Sequence, residues 1–296
     1  MDFDKDLAAR QQARELARQA EQAQNRLCEF SQEQLDRIVE AVAAAFSGEA
    51  VTLAEEAVQE TGFGNIRDKT AKNRFASEKV LSAVKDMKTV GVLTRDAQKR
   101  LWEIGVPVGV IAAIVPSTNP TSTVCYKAII ALKAGCAIIF SPHPKAVSCT
   151  RHAAELVARA AEAAGAPKGA VSCLTIPALA GCQELMSAPE VRLILATGGP
   201  GMVRAAYSSG KPAIGVGQGN VQVMIDRDVD LKEVVEMVIT GRTFDNGVLC
   251  TCEQNMIVPR EKRAEVIEYA KEAGAYVIDD EKDAEILRET MFPNGA

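Results

Sequence analysis

Apolar positions in the first ninety residues recur three and four apart among Ala, Glu, Lys and Arg, the spacing of helices with one buried face. The rhythm changes at RLWEIGVPVGVIAAIVP (100–116), which is rich in β-branched residues and broken by Gly105 and Pro107. This predicts an extended arm followed by a buried strand. From there strands and helices alternate: a helix over 121–135, a strand at 137–140, a helix over 145–164, a strand at 171–176 and a helix over 178–187. A strand at 191–199 and a helix over 201–209 follow. Continuous apolar strands separated by helices of 10–15 residues mark a parallel sheet covered on both faces. Right-handed crossovers make it a Rossmann-like α/β domain. Asp230 and Glu233 form a capping-box pattern ahead of Val234, Val235 and Val238, so a helix runs from there toward Thr243. QNMIVP (254–259) reads as the next strand.

Composition adds exclusions. The 296 residues are 47% hydrophobic and 25% charged, with a formal charge of −5. That is an ordinary globular balance, and it gives no reason to expect nucleic acid or anionic membrane as a partner. No apolar run reaches the ~18 residues of a membrane span. The N-terminal stretch is polar and lacks the apolar core of a signal peptide. Eight scattered cysteines show no disulfide framework, so they are expected reduced, in a cytoplasmic protein.

Three segments carry candidate chemistry. FDNGVLCTCEQ (244–254) places Cys250 and Cys252 one residue apart behind an Asp-Asn-Gly turn. The spacing fits neither a zinc knuckle, which needs further ligands, nor the Cys-x-x-Cys redox pair, and no metal is expected. Core filling is the plain alternative; a position directly after a turn favours a side chain facing a cleft. ATGGPGMV (196–203) follows a strand and opens a helix with Pro200 near its first position. That arrangement admits a phosphate-bearing ligand or is simply a tight turn. VPSTNPTST (115–123) sets Asn119 at a strand end before hydroxyl residues, a ligand-facing loop or a helix cap.

Together IVPSTNPTST (114–123), IIFSPHPKA (138–146), LILATGGPGMVRAAYSSGKPAIGVGQGN (193–220) and TFDNGVLCTCEQ (243–254) resemble the aldehyde dehydrogenase superfamily. The resemblance is closest to its CoA-acylating branch, including the aldehyde dehydrogenase half of bifunctional aldehyde-alcohol dehydrogenases. It implies a nucleotide-binding domain over 1–218, with an oligomerisation arm near 98–108, and the beginning of a second α/β catalytic domain over 219–296. It puts Cys250 on the nucleophile and Asn119 on the side-chain oxyanion donor. Thr197, Gly198 and Gly199 fall on the turn beside the cofactor, and Ser141, Pro142 and His143 at its adenosine end. Pro116, Ser117, Thr118, Val203, Gly215 and Gly217 complete the implied cofactor set. NAD is the implied cofactor, with NADP as the alternative, and CoA the co-substrate of a small aldehyde. A homo-oligomer is implied.

The departures are informative. Gly215 stands where hydrolytic members carry a glutamate base, and SPHP (141–144) lacks their ribose-gripping Lys-x-x-Glu. Glycine activates no water and is expected to leave room for a thiol arm. The chain ends at MFPNGA, before the family's catalytic domain is complete, so a partial chain or the front of a bifunctional one is expected, and weak catalysis from these residues alone. The implied reaction is reversible conversion of a short aldehyde to acyl-CoA through a cysteine thioester. Alternatives are a hydrolytic aldehyde dehydrogenase, an acyl-phosphate reductase resembling γ-glutamyl phosphate reductase, and an inert nucleotide-binding fragment.

Overall fold

Helix α1 (Lys5–Leu27) turns a stripe of Ala9, Ala13, Ala17, Ala20 and Ala23 inward. Small residues at helical spacing let it approach closely: a Cβ added at Gly181 would lie 3.0 Å from the Ala9 Cβ. The buried Gln24 amide donates to the Gly135 carbonyl and accepts from the Ala137 N–H. This satisfies backbone groups where the helix crosses the strand entrance. Helices α2 (Gln32–Gly48), capped by Ser31 and Gln34 reciprocally, α3 (Ala50–Thr61), α4 (Ile66–Arg74) and α5 (Val80–Val84) follow. A π-helical turn at Phe75–Lys79 joins the last two. The computed structural model describes residues 4–293; the ends of MDFDKD and MFPNGA lie outside the described residues.

The chain then forms a hairpin, β1 (Gly91–Asp96) with β2 (Leu101–Gly105), antiparallel and bulged between Val92 and Thr94. The predicted ribbon is present but begins near 91, because β1 is polar and carries no apolar alternation to betray it. Leu101, Trp102, Ile104, Val106 and Val108 are all exposed. Arg95 lies over the Trp102 ring, 4.3 Å from its centroid.

The main sheet comprises β3 (Val110–Ile114), β4 (Ile138–Ser141), β5 (Val171–Cys173), β6 (Val191–Thr197) and β7 (Ala213–Val216). All pairs are parallel, in the order β5-β4-β3-β6-β7. Every residue of β3 and β4 is buried, as two-sided cover requires. The crossovers are α6 (Pro120–Lys133), α7 (Val147–Ala163), α8 (Leu179–Ser187) and α9 (Pro200–Tyr207). Right-handed connections put α6 and α7 on one face and α8 and α9 on the other. The strand order therefore reverses between β3 and β6, and in open α/β sheets the crevice at the carboxyl ends of such strands is where ligands bind.

The chain divides into two compact units, one ending at Gln218 and one beginning at Gly219. The second is a βαβ unit: β8 (Val221–Met224), α10 (Leu231–Thr243) and β9 (Glu253–Ile257), with the strands parallel. The expected cap is present, the Asp230 carboxylate accepting the Glu233 N–H at 3.1 Å. Ile225, Leu231, Val235, Val266 and Ala270 form its core with α11 (Arg263–Glu272). α12 (Glu281–Met291) follows. Strands β7 and β8 were not anticipated; both are four residues long and half exposed, so neither has a strong apolar signature.

Candidate active site

In the first unit, the carboxyl ends of β3, β4, β5 and β6 enclose a cleft of about 290 Å³. Of the predicted cofactor residues, Pro116, Ser141, Pro142, His143, Thr197, Gly198 and Gly199 line it. Gly199 caps α9 with Pro200 at its first turn, and nothing approaches within 4 Å of the Cβ positions of Gly199 or Gly201. Open space there lets a ligand reach the backbone. Gly198 also donates its N–H to the Val216 carbonyl, 3.1 Å away, tying the turn to β7. The Lys145 N–H donates to His143 Nδ1 at 3.1 Å. Burial, with a smaller contribution from Lys145, holds His143 below the ordinary imidazole range, so the ring is favoured neutral.

Ser117, Thr118, Val203, Gly215 and Gly217 do not line this cleft. Val203 instead packs on Gly215 of β7: a Cβ there would fall 2.6 Å from Val203 Cγ1 and 2.8 Å from Tyr207 Cε2. Gly215 also donates its N–H to the Tyr207 hydroxyl at 2.9 Å. The expected free space beside Gly215 is therefore filled by the α9 side chains. Sequence reading also missed one wall of the cleft, Leu174, Ile176, Pro177, Leu179 and Cys182 after β5. Its apolar and proline content gave no chemical signal.

Asn119 stands at the N-cap position of α6 but makes no capping hydrogen bond. The helix-cap alternative thus fails. Its amide Nδ2 donates to Thr118 Oγ1 at 3.3 Å, and its Oδ1 accepts from Lys72 of α4. Lys69 Nζ donates to the Thr118 carbonyl at 2.9 Å, and Thr121 Oγ1 donates to Asn73 Oδ1 at 2.9 Å. Residues 69, 72 and 73 share one helix face, so α4 grips the whole 118–121 loop.

In the second unit, α10 ends in the turn at Phe244–Gly247. Asp245, Asn246 and Gly247 take φ of 50°, 56° and 71°. Consecutive left-handed residues are costly for side-chain-bearing positions, and such outliers cluster at functional sites. They reverse the chain so that residue 250 emerges from the surface. Cys250 is exposed, whereas Cys252 is buried with its Sγ 3.9 Å from the Phe244 carbonyl oxygen. The pair thus separates into an accessible thiol and a packed one. A Cβ at Gly219 would lie 2.8 Å from the Cys250 carbonyl oxygen, so only glycine lets the two backbones pass. Among the described residues no cluster of three or more His, Cys, Asp or Glu is placed to hold a metal.

Residues 4–286 match the aldehyde dehydrogenase family. The chain belongs to that family. It is 46% identical over 281 residues to the bifunctional aldehyde-alcohol dehydrogenase AdhE of Escherichia coli, covering 95% of this chain and 31% of that protein. The crystal structure of an acetylating aldehyde dehydrogenase from Geobacillus thermoglucosidasius matches with a TM-score of 0.95 at 48% identity, covering 99% of this chain and 65% of that one. The Rhodopseudomonas palustris propionaldehyde dehydrogenase, solved with bound CoA and an acylated cysteine, matches with a TM-score of 0.81 at 30% identity, covering 94% of this chain and 63% of its own. The chain spans between about a third and two thirds of these relatives' lengths. No helix among the described residues is long and apolar enough to cross a membrane.

Beneath the main sheet lies a buried cation that the sequence did not flag. Lys127 of α6 is 2% exposed, and its Nζ donates to the Ile114 and Leu195 carbonyls, each at 2.8 Å. It bridges β3 and β6 beneath the crevice. Burial pushes its pKa down to about 7, although the two carbonyls favour the charged form. The unfolded chain keeps the ordinary value, near 10.4. Between those values the unfolded state binds the extra proton, so folding stability rises with pH through this window and is penalised most below about pH 7. Compared with Lys127→Met, the native chain should gain about 2 kcal/mol between pH 7 and 9. Denaturant titrations of both proteins at the two pH values check this; parallel pH profiles would show that Lys127 stays charged.

Proposed function

We propose that this chain carries the front part of a CoA-acylating aldehyde dehydrogenase. The observation that supports it most is the separation of an exposed Cys250 from a buried Cys252, on a chain closely similar to acetylating relatives. The first unit is the nucleotide-binding domain, and the second begins the catalytic domain.

The cleft fits a dinucleotide: it lies at the switch point and has open space along the backbone at Gly199 and Gly201. Pro116, Ser141, Pro142, His143, Thr197, Gly198 and Gly199 hold it. Bound there, NAD or NADP supplies the hydride acceptor. Cys250, as thiolate, bonds to the aldehyde carbon, since only the thiolate is competent. Asn119 donates a side-chain N–H, and Cys250 its backbone N–H, to the oxygen as charge develops. Loss of hydride leaves an acyl thioester on Cys250. The sulfur of CoA adds to that carbonyl, the Cys250 thiolate leaves, and acyl-CoA is released. Thioester exchange is near balance, so the route runs in both directions.

The test is the reverse reaction in the full-length protein. Short acyl-CoA thioesters should oxidise NADH or NADPH and release aldehyde; an acyl phosphate accepted in their place would overturn the reading.

The exposed hairpin bears on assembly. A bare two-stranded ribbon that exposes Leu93, Leu101, Trp102 and Ile104 is an association liability unless covered, so β1–β2 is the arm through which copies pair. Light scattering should show at least a dimer, and Trp102→Glu should weaken it. A strict monomer before mutation would refute this role.

A further inference from the structure

We infer that Lys72 is a positioning residue for the Asn119 amide, fixing which of its two ends faces the reacting oxygen. This rests on the proposed acyl-transfer reading and deepens it.

An asparagine side chain presents an acceptor oxygen on one side and a two-hydrogen donor on the other, and rotation by about 180° exchanges them. An oxyanion donor is useful only with the NH₂ facing the reaction. Flipped, the oxygen would repel the developing charge. Something must therefore choose the orientation, and the usual candidate is absent: the Asn119 side chain makes no helix-capping bond.

Lys72 makes that choice. An ammonium group carries donors only, so the atom facing it must be Oδ1, and Lys72 does donate to Asn119 Oδ1. The Nδ2 atom then points away, with one hydrogen toward Thr118 Oγ1 at 3.3 Å and a second for the oxyanion. The cation at Oδ1 also polarises the amide and strengthens its N–H groups as donors. Lys69 and Asn73 hold the same loop through the Thr118 carbonyl and the Thr121 hydroxyl. They fix where the loop sits, while Lys72 donates to the Asn119 amide itself.

The experiment compares two reactions of Cys250 in the full-length protein. Acylation by acyl-CoA passes through an oxyanion: the Cys250 thiolate adds to the thioester carbonyl, forming the new carbon–sulfur bond, and collapse of the oxyanion re-forms the carbonyl and expels the CoA thiolate. Alkylation by iodoacetamide displaces iodide at a saturated carbon and develops no oxyanion. Each is followed by mass at Cys250 under single-turnover conditions, with Asn119→Ala as reference.

Removing one oxyanion donor costs ~10²–10³-fold. Asn119→Ala should fall in that range. Lys72→Met should lose ~10–10²-fold in acylation and almost nothing in alkylation, because the donor remains but is misoriented part of the time. Lys72→Gln, which presents both a donor and an acceptor and so tolerates either flip, should lose about tenfold. Lys72→Arg, again donor-only, should restore most of the rate. The double variant Asn119→Ala/Lys72→Met should be no slower than Asn119→Ala alone, since both act through one amide.

Lys72→Met and Lys72→Gln acylating as fast as the unsubstituted protein, while Asn119→Ala is slow, would overturn the inference and leave the acyl-transfer reading standing. Equal losses in acylation and alkylation would also overturn it, by showing general damage to the fold. If Asn119→Ala itself acylates normally, the oxyanion role of Asn119 fails and that of Lys72 with it.

Discussion

Cys250→Ser should lose aldehyde oxidation by at least ~10³-fold, the scale on which removal of a nucleophile is felt, while Cys252→Ser should keep most of it. The two cysteines are separated by a single residue, so identity of residue type cannot separate them; placement does. The three left-handed residues at 245–247 turn the chain so that alternation delivers residue 250 outward and residue 252 inward. A serine at 250 would offer an unionised hydroxyl with no adjacent base, a far weaker nucleophile than a thiolate. A serine at 252 would sit near the Phe244 carbonyl, where its hydroxyl finds an acceptor, so the cost is about 1 kcal/mol of stability rather than chemistry. Both variants are assayed in the full-length protein, with mass mapping of iodoacetamide adducts. Cys28 is also exposed and provides the comparison for plain accessibility. Preferential aldehyde-protected labelling at Cys252, or an active Cys250→Ser enzyme, would reverse the assignment.

The sequence revealed these features unevenly, for physical reasons. Buried strands such as β3 and β4 were readable because two-sided burial forces unbroken apolar runs. α10 was readable because its cap is local: Asp230 and the N–H it accepts are three residues apart. The exposure of Cys250 was foreshadowed by the turn directly before it, whereas its nucleophile role comes only from the resemblance. What escaped was everything that depends on distant pairing. Lys69, Lys72 and Asn73 lie on an ordinary polar helix, and only its packing on residues 118–121, nearly fifty positions away, gives them work. Lys127 carries no local signal of burial; its place follows from two carbonyls that neighbouring parallel strands bring to its ammonium group. Gly215 misled in the other direction. A glycine suggests empty space, but here its missing side chain is replaced by Val203 and Tyr207.

That last point sharpens the second large prediction, that the acyl acceptor is CoA and not water. Without CoA, the full-length enzyme should release about one NADH per site and then stop, held as the Cys250 thioester; with CoA, turnover should continue and acyl-CoA accumulate. The reason is a difference in activation. A thiol has a pKa near 8.5 and is partly ionised at neutral pH, whereas water needs a base to deprotonate it. Position 215, where the hydrolytic pattern keeps a glutamate, has no side chain to serve. Nor does the structure permit one to be added simply. A Cβ at 215 would lie under 3.0 Å from both Val203 and Tyr207, and β7 would lose the bond between the Gly215 N–H and the Tyr207 hydroxyl if that ring were displaced. Gly215→Glu should therefore destabilise the first unit, by about 1–3 kcal/mol as overpacking does, and gain no hydrolysis. On the proposed reading, acylating character rests on the packing of α9 on β7 as well as on the missing carboxylate. Product analysis at steady state decides the matter: sustained free carboxylic acid without CoA, from the native enzyme or from Gly215→Glu, would show that water reaches the thioester and that this packing does not exclude it.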